Sequence, residues 1–210
     1  MTAGRIIACD ADVAEGAAWL ARAEPRFAAA LNIAGPLPLR RRPDGFAELL
    51  SAIVSQQVSL ASARAIWTRL EGAGMTDAAR VAAASQEALR DLGLSRQKAR
   101  YAHALAAAGL DYVALRAAPD AEVVRILTAV PGIGAWTAEI YAMFSLGRAD
   151  VFAPGDLALQ EAARQLFDLP ERPREGALRQ MATAWSPWRS VAARLLFAYY
   201  RAMKRREGIA

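Results

Sequence analysis

Apolar residues recur at three- and four-residue intervals along almost the whole chain, and the alternating runs that a half-buried strand needs are scarce. A chain patterned this way buries its apolar surface by folding into amphipathic helices. Glycine and proline cut the pattern at Gly35-Pro36, Pro43-Asp44-Gly45, Gly72-Ala73-Gly74, Pro119, Pro131-Gly132, Pro154-Gly155, Pro170 and Pro187, so the helices must be short. The spacing predicts them at roughly 10–22, 25–33, 44–56, 59–71, 76–82, 85–91, 95–108, 120–129, 134–146, 156–167, 173–184 and 188–206. Asp44 and Thr76 stand where N-caps are needed, and Gly72 and Gly109 where helices should stop. The segment Arg5-Ile6-Ile7-Ala8-Cys9 reads as either extended or disordered. The expected fold class is all-α.

The 210 residues, 55% of them hydrophobic, are enough for one large core or two small ones. Charge interrupts every apolar stretch before the ~18 residues a membrane span requires, so no membrane partner is expected. The opening MTAGRIIACDADVAEG has too short an apolar stretch, with acid too close behind it, for a secretory signal. Cytosol is the expected compartment. The single cysteine, Cys9, excludes an internal disulfide, a cysteine-rich zinc site and a four-cysteine iron–sulfur cluster. A net charge of +5 fits a polyanionic partner, and it fits an arginine-rich composition equally well. Lys98 and Lys204 are the only lysines, which limits amine chemistry.

Two features carry chemistry. The turn Pro131-Gly132-Ile133-Gly134 joins two expected helices, and the second of them starts with backbone N–H groups that have no intrahelical acceptor. Those amides and the positive end of the helix dipole suit a phosphate, and glycine lets a nucleic-acid backbone come close. The same turn would also serve as a plain corner between helices. Some twenty residues on, Asp156 follows a second Pro-Gly turn, where it is placed either to cap the next helix or to act as a lone carboxylate.

Several stretches, in this order, resemble the helix-hairpin-helix (HhH-GPD) DNA glycosylase superfamily, and within it the 3-methyladenine DNA glycosylase II type. They are FAELLSAIVSQQVS (46–59), LSRQKA (94–99), VPGIGAWT (130–137), DVFAPGD (150–156) and WSPWRS (185–190). The resemblance runs over residues 45–200 and matches residues 1–44 only loosely. It implies an all-α, two-lobed fold with a cleft between the lobes. One lobe would hold residues 1–44 and 156–210; the other, 45–155, would be a helical barrel containing the hairpin at about 120–146.

By that resemblance Asp156 is the catalytic residue. Breaking an N-glycosidic bond builds positive charge on the sugar, which a carboxylate stabilises. Asp150 is the rival carboxylate and reads as a cap or an ion pair. Trp136 stands where strand-nicking members carry a lysine, so the resemblance implies a monofunctional enzyme without lyase activity. Trp136, Phe46, Tyr141, Trp188 and Phe197 are the aromatic candidates for a pocket around a cationic base; packing is the other reading of each. Gln57 lies where relatives insert a side chain into the gap left by a flipped base, and Gln56 is the less suited of the two. Gly132, Ile133, Gly134, Thr137, Arg96 and Lys98 are the expected phosphate contacts. Arg201, Lys204, Arg205 and Arg206 form a second basic cluster, and the single histidine, His103, reads as structural.

The function implied is hydrolysis of the N-glycosidic bond of alkylated purines in double-stranded DNA, in base excision repair, by a monomer. No organic cofactor and no side-chain metal site are expected; a monovalent cation at hairpin carbonyls belongs to the family pattern. Two alternatives keep the fold: a non-catalytic DNA-binding module, and a glycosylase for deaminated or oxidised bases.

Overall fold

The structure, a computed structural model, describes residues 3–206, the side chain of Arg206 excepted. The first two and last four positions of the chain, and the Arg206 side chain of the C-terminal basic cluster, lie outside the described residues. Among the described residues no strand forms. The segment around Ile6 is extended and makes an isolated bridge to Arg148, with Ile7 N donating to Gly147 O at 2.7 Å and Ala149 N to Arg5 O at 2.9 Å. The helices are α1 (Asp10–Ala23), α2 (Pro25–Ala34), α3 (Phe46–Ser55), α4 (Leu60–Gly72), α5 (Ala78–Ala83), α6 (Gln86–Asp91) and α7 (Arg96–Ala107). They continue as α8 (Tyr112–Ala117), α9 (Asp120–Thr128), α10 (Ala135–Phe144), α11 (Leu157–Leu166), α12 (Glu175–Met181) and α13 (Arg189–Arg206), with a 3-10 turn at Ala182–Trp185.

Short helices have many ends, and small polar residues close them. Ser59, Asp77, Ser85, Ser95 and Asp111 each accept a first-turn backbone N–H at 2.9–3.2 Å. Each such cap is worth about 1 kcal/mol. Two expected caps are corrected. Asp44 does not cap α3; Gly45 is the cap residue, and the Asp44 carboxylate takes Nε and Nη2 of Arg116 at 2.6 and 3.1 Å. Thr76 gives way to Asp77, one residue on. Gly72 remains helical, and the left-handed residue that ends that element is Gly74 at φ 70°, whereas Gly109 at φ 55° does follow the end of α7. Helix α8 has no counterpart in the sequence reading, although Asp111 caps it as Asp77 and Ser85 cap the equally short α5 and α6.

The chain forms two compact units, residues 42–141 and residues 3–41 with 142–206. The second boundary falls inside α10, not at residue 155. Residues 142–155 are tied into the second unit by Ser190 N to Ala149 O (2.9 Å), and by Asp150, which pairs with Arg189 (2.7 and 3.0 Å) and accepts from Ser186 Oγ (2.8 Å). In the first unit α7 packs on α3, α5 and α6 over a core that includes Leu49, Leu50, Ile53, Leu89 and Leu105. In the second, α13 packs on α1, α2 and α11, beside an aromatic cluster of Phe27, Phe152, Phe167 and Trp185 with neighbouring centroids 5.3–5.8 Å apart. Full burial of each such side chain stabilises by about 1.5–3 kcal/mol.

Arg194 lies fully buried in this second unit. Its guanidinium donates to the carbonyls of Leu39, Ser190 and Met143 and lies 4.8 Å over the Phe144 ring. Burial, and then the nearby Arg40 and Arg41, pull its pKa down to about 10. Its hydrogen bonds tie the chain before α3 to the end of α10 and to α13.

Gly16, inside α1, separates propensity from packing. In an exposed helix, alanine would be favoured over glycine by about 1 kcal/mol. Here a Cβ would sit 2.7 Å from both Trp188 Cε3 and Val191 Cγ2. Gly16→Ala is therefore expected to destabilise by about 1–3 kcal/mol, lowering the urea midpoint. An unchanged or raised midpoint would show that this contact relaxes freely.

Candidate active site

The hairpin lies in the first unit. After α9 ends at Thr128, Ile133 N donates to Val130 O at 3.0 Å, closing the turn, and α10 starts at Ala135. Its two glycines have different jobs. Gly132 has φ +95°, and a Cβ there would run into the Tyr101 ring. That glycine is required by the fold. Gly134 carries no positive φ, and nothing lies within 4 Å of where its Cβ would be. Its surroundings are open, as close approach of a ligand requires. Ile133 and Thr137 are buried (4% and 5% exposed), so of the expected hairpin contacts they offer backbone rather than side chain.

Beside the turn is a depression of about 690 Å³, lined among others by Gln56, Gln57, Lys98, Gly134 and Trp136. Trp136 is 46% exposed, which removes core packing as its main role. Gln57 is exposed and takes a left-handed φ of 55°, while Gln56 is partly buried and its Nε2 donates to Gly132 O at 3.0 Å. Arg96 is exposed at the start of α7. Lys98, read from sequence as a phosphate contact, is buried, and its Nζ donates to Val54 O in the last turn of α3 at 2.7 Å. Desolvation holds its pKa below the usual lysine value. Its first role is to close a helix end.

The other aromatic candidates are packed. Phe46 and Tyr141 are buried in the first unit, and the Tyr141 hydroxyl accepts Gly45 N at 2.8 Å where α3 begins. Burial raises the Tyr141 phenol pKa well above its ordinary value. In the second unit Trp188 is buried with Arg5 4.3 Å over its ring, and Phe197 is half-buried against Phe144 and Arg40.

Asp156 belongs to the second unit and is half-buried. It is the N-cap of α11: its Oδ1 accepts Ala158 N at 2.9 Å and Leu159 N at 3.2 Å. Gln160 Nε2 donates to Pro154 O at 2.8 Å and so fixes the turn that precedes it. The cap is made by Oδ1 and sets the plane of the carboxylate. Asp150 forms the ion pair expected of it. Among the described residues no group of three or more His, Cys, Asp or Glu side chains is arranged to hold a metal, and no helix is long and apolar enough to cross a membrane.

Sequence reasoning missed Tyr101, Gln97 and the role of Gln56. Tyr101 lies under Gly132, with its hydroxyl 2.6 Å from Gln97 Nε2. The only local signal was that Gln97 and Tyr101 are four apart on one helix. The two hairpin glycines should respond differently to alanine. Gly132→Ala is expected to cost a few kcal/mol, through left-handed strain and overlap with Tyr101. Gly134→Ala should stay within about 1 kcal/mol of wild type. Thermal melts of both variants check this; equal losses would remove the distinction between them.

Comparison with known proteins agrees with this geometry. The family model described as "HhH-GPD superfamily base excision DNA repair protein" matches residues 50–188. A DNA-3-methyladenine glycosidase structure from Bacillus halodurans is 35% identical and superposes with a TM-score of 0.78 over 89% of this chain and 88% of that one. The Schizosaccharomyces pombe 3-methyladenine DNA glycosylase Mag1, solved in complex with abasic DNA, is 26% identical, with a TM-score of 0.74 over 87% of this chain and 95% of that one. DNA-3-methyladenine glycosylase 2 of Escherichia coli is 32% identical over 75% of this chain and 57% of its own length. A Bacillus subtilis relative is 33% identical over 52% of this chain, a match spanning 39% of its own length. The family match runs through the glycine turn and the capping aspartate, and the chain belongs to the HhH-GPD superfamily of base excision DNA repair proteins.

Proposed function

We propose that this chain is a monofunctional DNA glycosylase that hydrolyses the N-glycosidic bond of alkylated purines flipped out of duplex DNA, acting as a monomer in the cytosol. The observation that carries the reading is Asp156, a carboxylate oriented by its own helix cap, in a chain similar over most of its length to 3-methyladenine glycosylases. A purine alkylated at N3 or N7 already bears positive charge, so it leaves without an acid. The C1′–N9 bond breaks and its electron pair neutralises the base. Positive charge moves onto the sugar, Asp156 stabilises it, and water adds at C1′ with loss of a proton to leave an abasic site.

The lysines support hydrolysis over strand nicking. Residue 136 is tryptophan, Lys98 has its amine bonded to Val54 O, and Lys204 lies 5.7 Å over the Tyr200 ring in the last helix. Trp136, exposed and beside the hairpin, is the best-placed aromatic face in its unit for a cationic base. Phe46 and Tyr141 in the first unit, and Trp188 and Phe197 in the second, would each act mainly through packing within their own unit. Gln57 is the side chain that fills the gap in the duplex, and the α10 amides with Arg96 meet phosphates. A monovalent cation at the hairpin would use the second lone pairs of Val130 O and Gly132 O, each of which already accepts one N–H. It would add positive charge there.

Asparagine caps a helix as well as aspartate does, so Asp156→Asn removes the charge and keeps the fold. Excision of methylated purines should fall by about 10²-fold or more, ~3 kcal/mol of transition-state stabilisation. Near wild-type release of methylated bases by that variant would remove Asp156 from the mechanism. Product strands should stay whole until alkali is added, and borohydride should trap no protein–DNA adduct; an adduct lost in Lys98→Ala would overturn the monofunctional reading. Gly134→Asp also leaves a competent cap residue, while placing a negative charge where a phosphate would come. It should weaken duplex binding by a few kcal/mol whatever the sequence, at an unchanged melting temperature. Intact affinity in that folded variant would reduce the hairpin to a corner.

A further inference from the structure

The turn between α3 and α4 carries two adjacent glutamines with opposite characters. Gln56 is partly buried, has φ −62°, and spends its amide on the hairpin: Nε2 donates to Gly132 O at 3.0 Å across 76 residues of sequence. Gln57 is exposed and left-handed at φ 55°. A non-glycine residue in that region is strained and persists only where its surroundings over-determine it. Here two hydrogen bonds hold the chain just before it. Lys98 Nζ takes Val54 O at 2.7 Å, and Gln56 takes Gly132 O. The acceptor at Gly132 is itself fixed, by its positive φ and by the Tyr101 ring beneath it.

We propose that Gln56 is a positioning residue: its amide, by binding the Gly132 carbonyl, holds Gln57 at a set distance from the hairpin. This rests on the reading of Gln57 as the residue that enters the duplex and of the hairpin as the phosphate clamp. With the hairpin seated on a phosphate, the Gln56 bond decides where along the helix Gln57 enters. Ordering that turn in advance spares the entropy of arranging it on DNA. Gln56 acts through Gln57 and need not touch DNA itself.

The test compares affinity of the full chain for a duplex with a tetrahydrofuran abasic analogue against the same duplex intact. Gln57→Ala should lower the preference for the abasic duplex. Gln56→Met, of similar length but without a donor, should lower it by roughly five- to tenfold, the scale of one hydrogen bond, with intact-duplex affinity unchanged. Gln56→Glu keeps the length and sets an acceptor against Gly132 O, so it should lose at least as much. Adding Gln57→Ala to Gln56→Met should cost less than Gln57→Ala alone.

Retained preference in folded Gln56→Met, equal loss on both duplexes, or additive losses would each overturn the proposal. So would failure of both Gln56 variants to fold, which would assign the bond to stability alone. A wild-type chain without abasic preference would overturn the wedge reading and this proposal together. If Gln57→Ala loses preference while Gln56→Met keeps it, only this proposal falls. Base release by wild type and Asp156→Asn tests the glycosylase reading separately.

Discussion

Every α-helix starts with backbone N–H groups that its own turns cannot satisfy, and a fold built from helices of six to eighteen residues has many such starts. This molecule answers the constraint with short polar side chains, a serine or aspartate at one helix start after another. The same constraint shapes its candidate active site. Asp156 is one more such cap, and its capping bonds orient a carboxylate at the end of a Pro-Gly turn. At α10 the helix start is approached through Gly134, whose side-chain position is open. One helix start thus holds an anion of its own, and another has no side chain beside it.

Buried cations do the work that apolar side chains cannot. Lys98 and Arg194 lie where carbonyls at helix ends or between elements need donors. Each is desolvated, and each pKa is lowered as a result. A lysine would reach at most three acceptors from a point charge, whereas the planar Arg194 fork spans the carbonyls of Leu39, Ser190 and Met143 and still lies on Phe144. The basic composition therefore counts for less on the surface than its net charge suggests, since part of it is structural.

Much of the fold was legible because its signals are local. Helical period, Gly-Pro punctuation and cap residues placed most of the helices within a few residues, and the turn at 131–134 and Asp156 were visible from the glycines and prolines around them. The misses have local causes too. Helix α8 starts after Asp111, a cap not recognised from the sequence. Asp44 has a good cap's chemistry, but Arg116, 72 residues away, takes its carboxylate. Trp136 could not be sorted between core and surface from sequence, since indole suits both.

What the sequence determined by itself was the helical class, the order of the motifs and the absence of a lysine at position 136, all properties of residues and their near neighbours. Tertiary structure decided which glycine is fixed and which is open, because only folding brings Tyr101 under Gly132 and nothing against Gly134. It also decided that Lys98 closes α3 and that Gln56 reaches the hairpin. Those bonds join atoms 44 and 76 residues apart, and no periodicity records a partner at that distance.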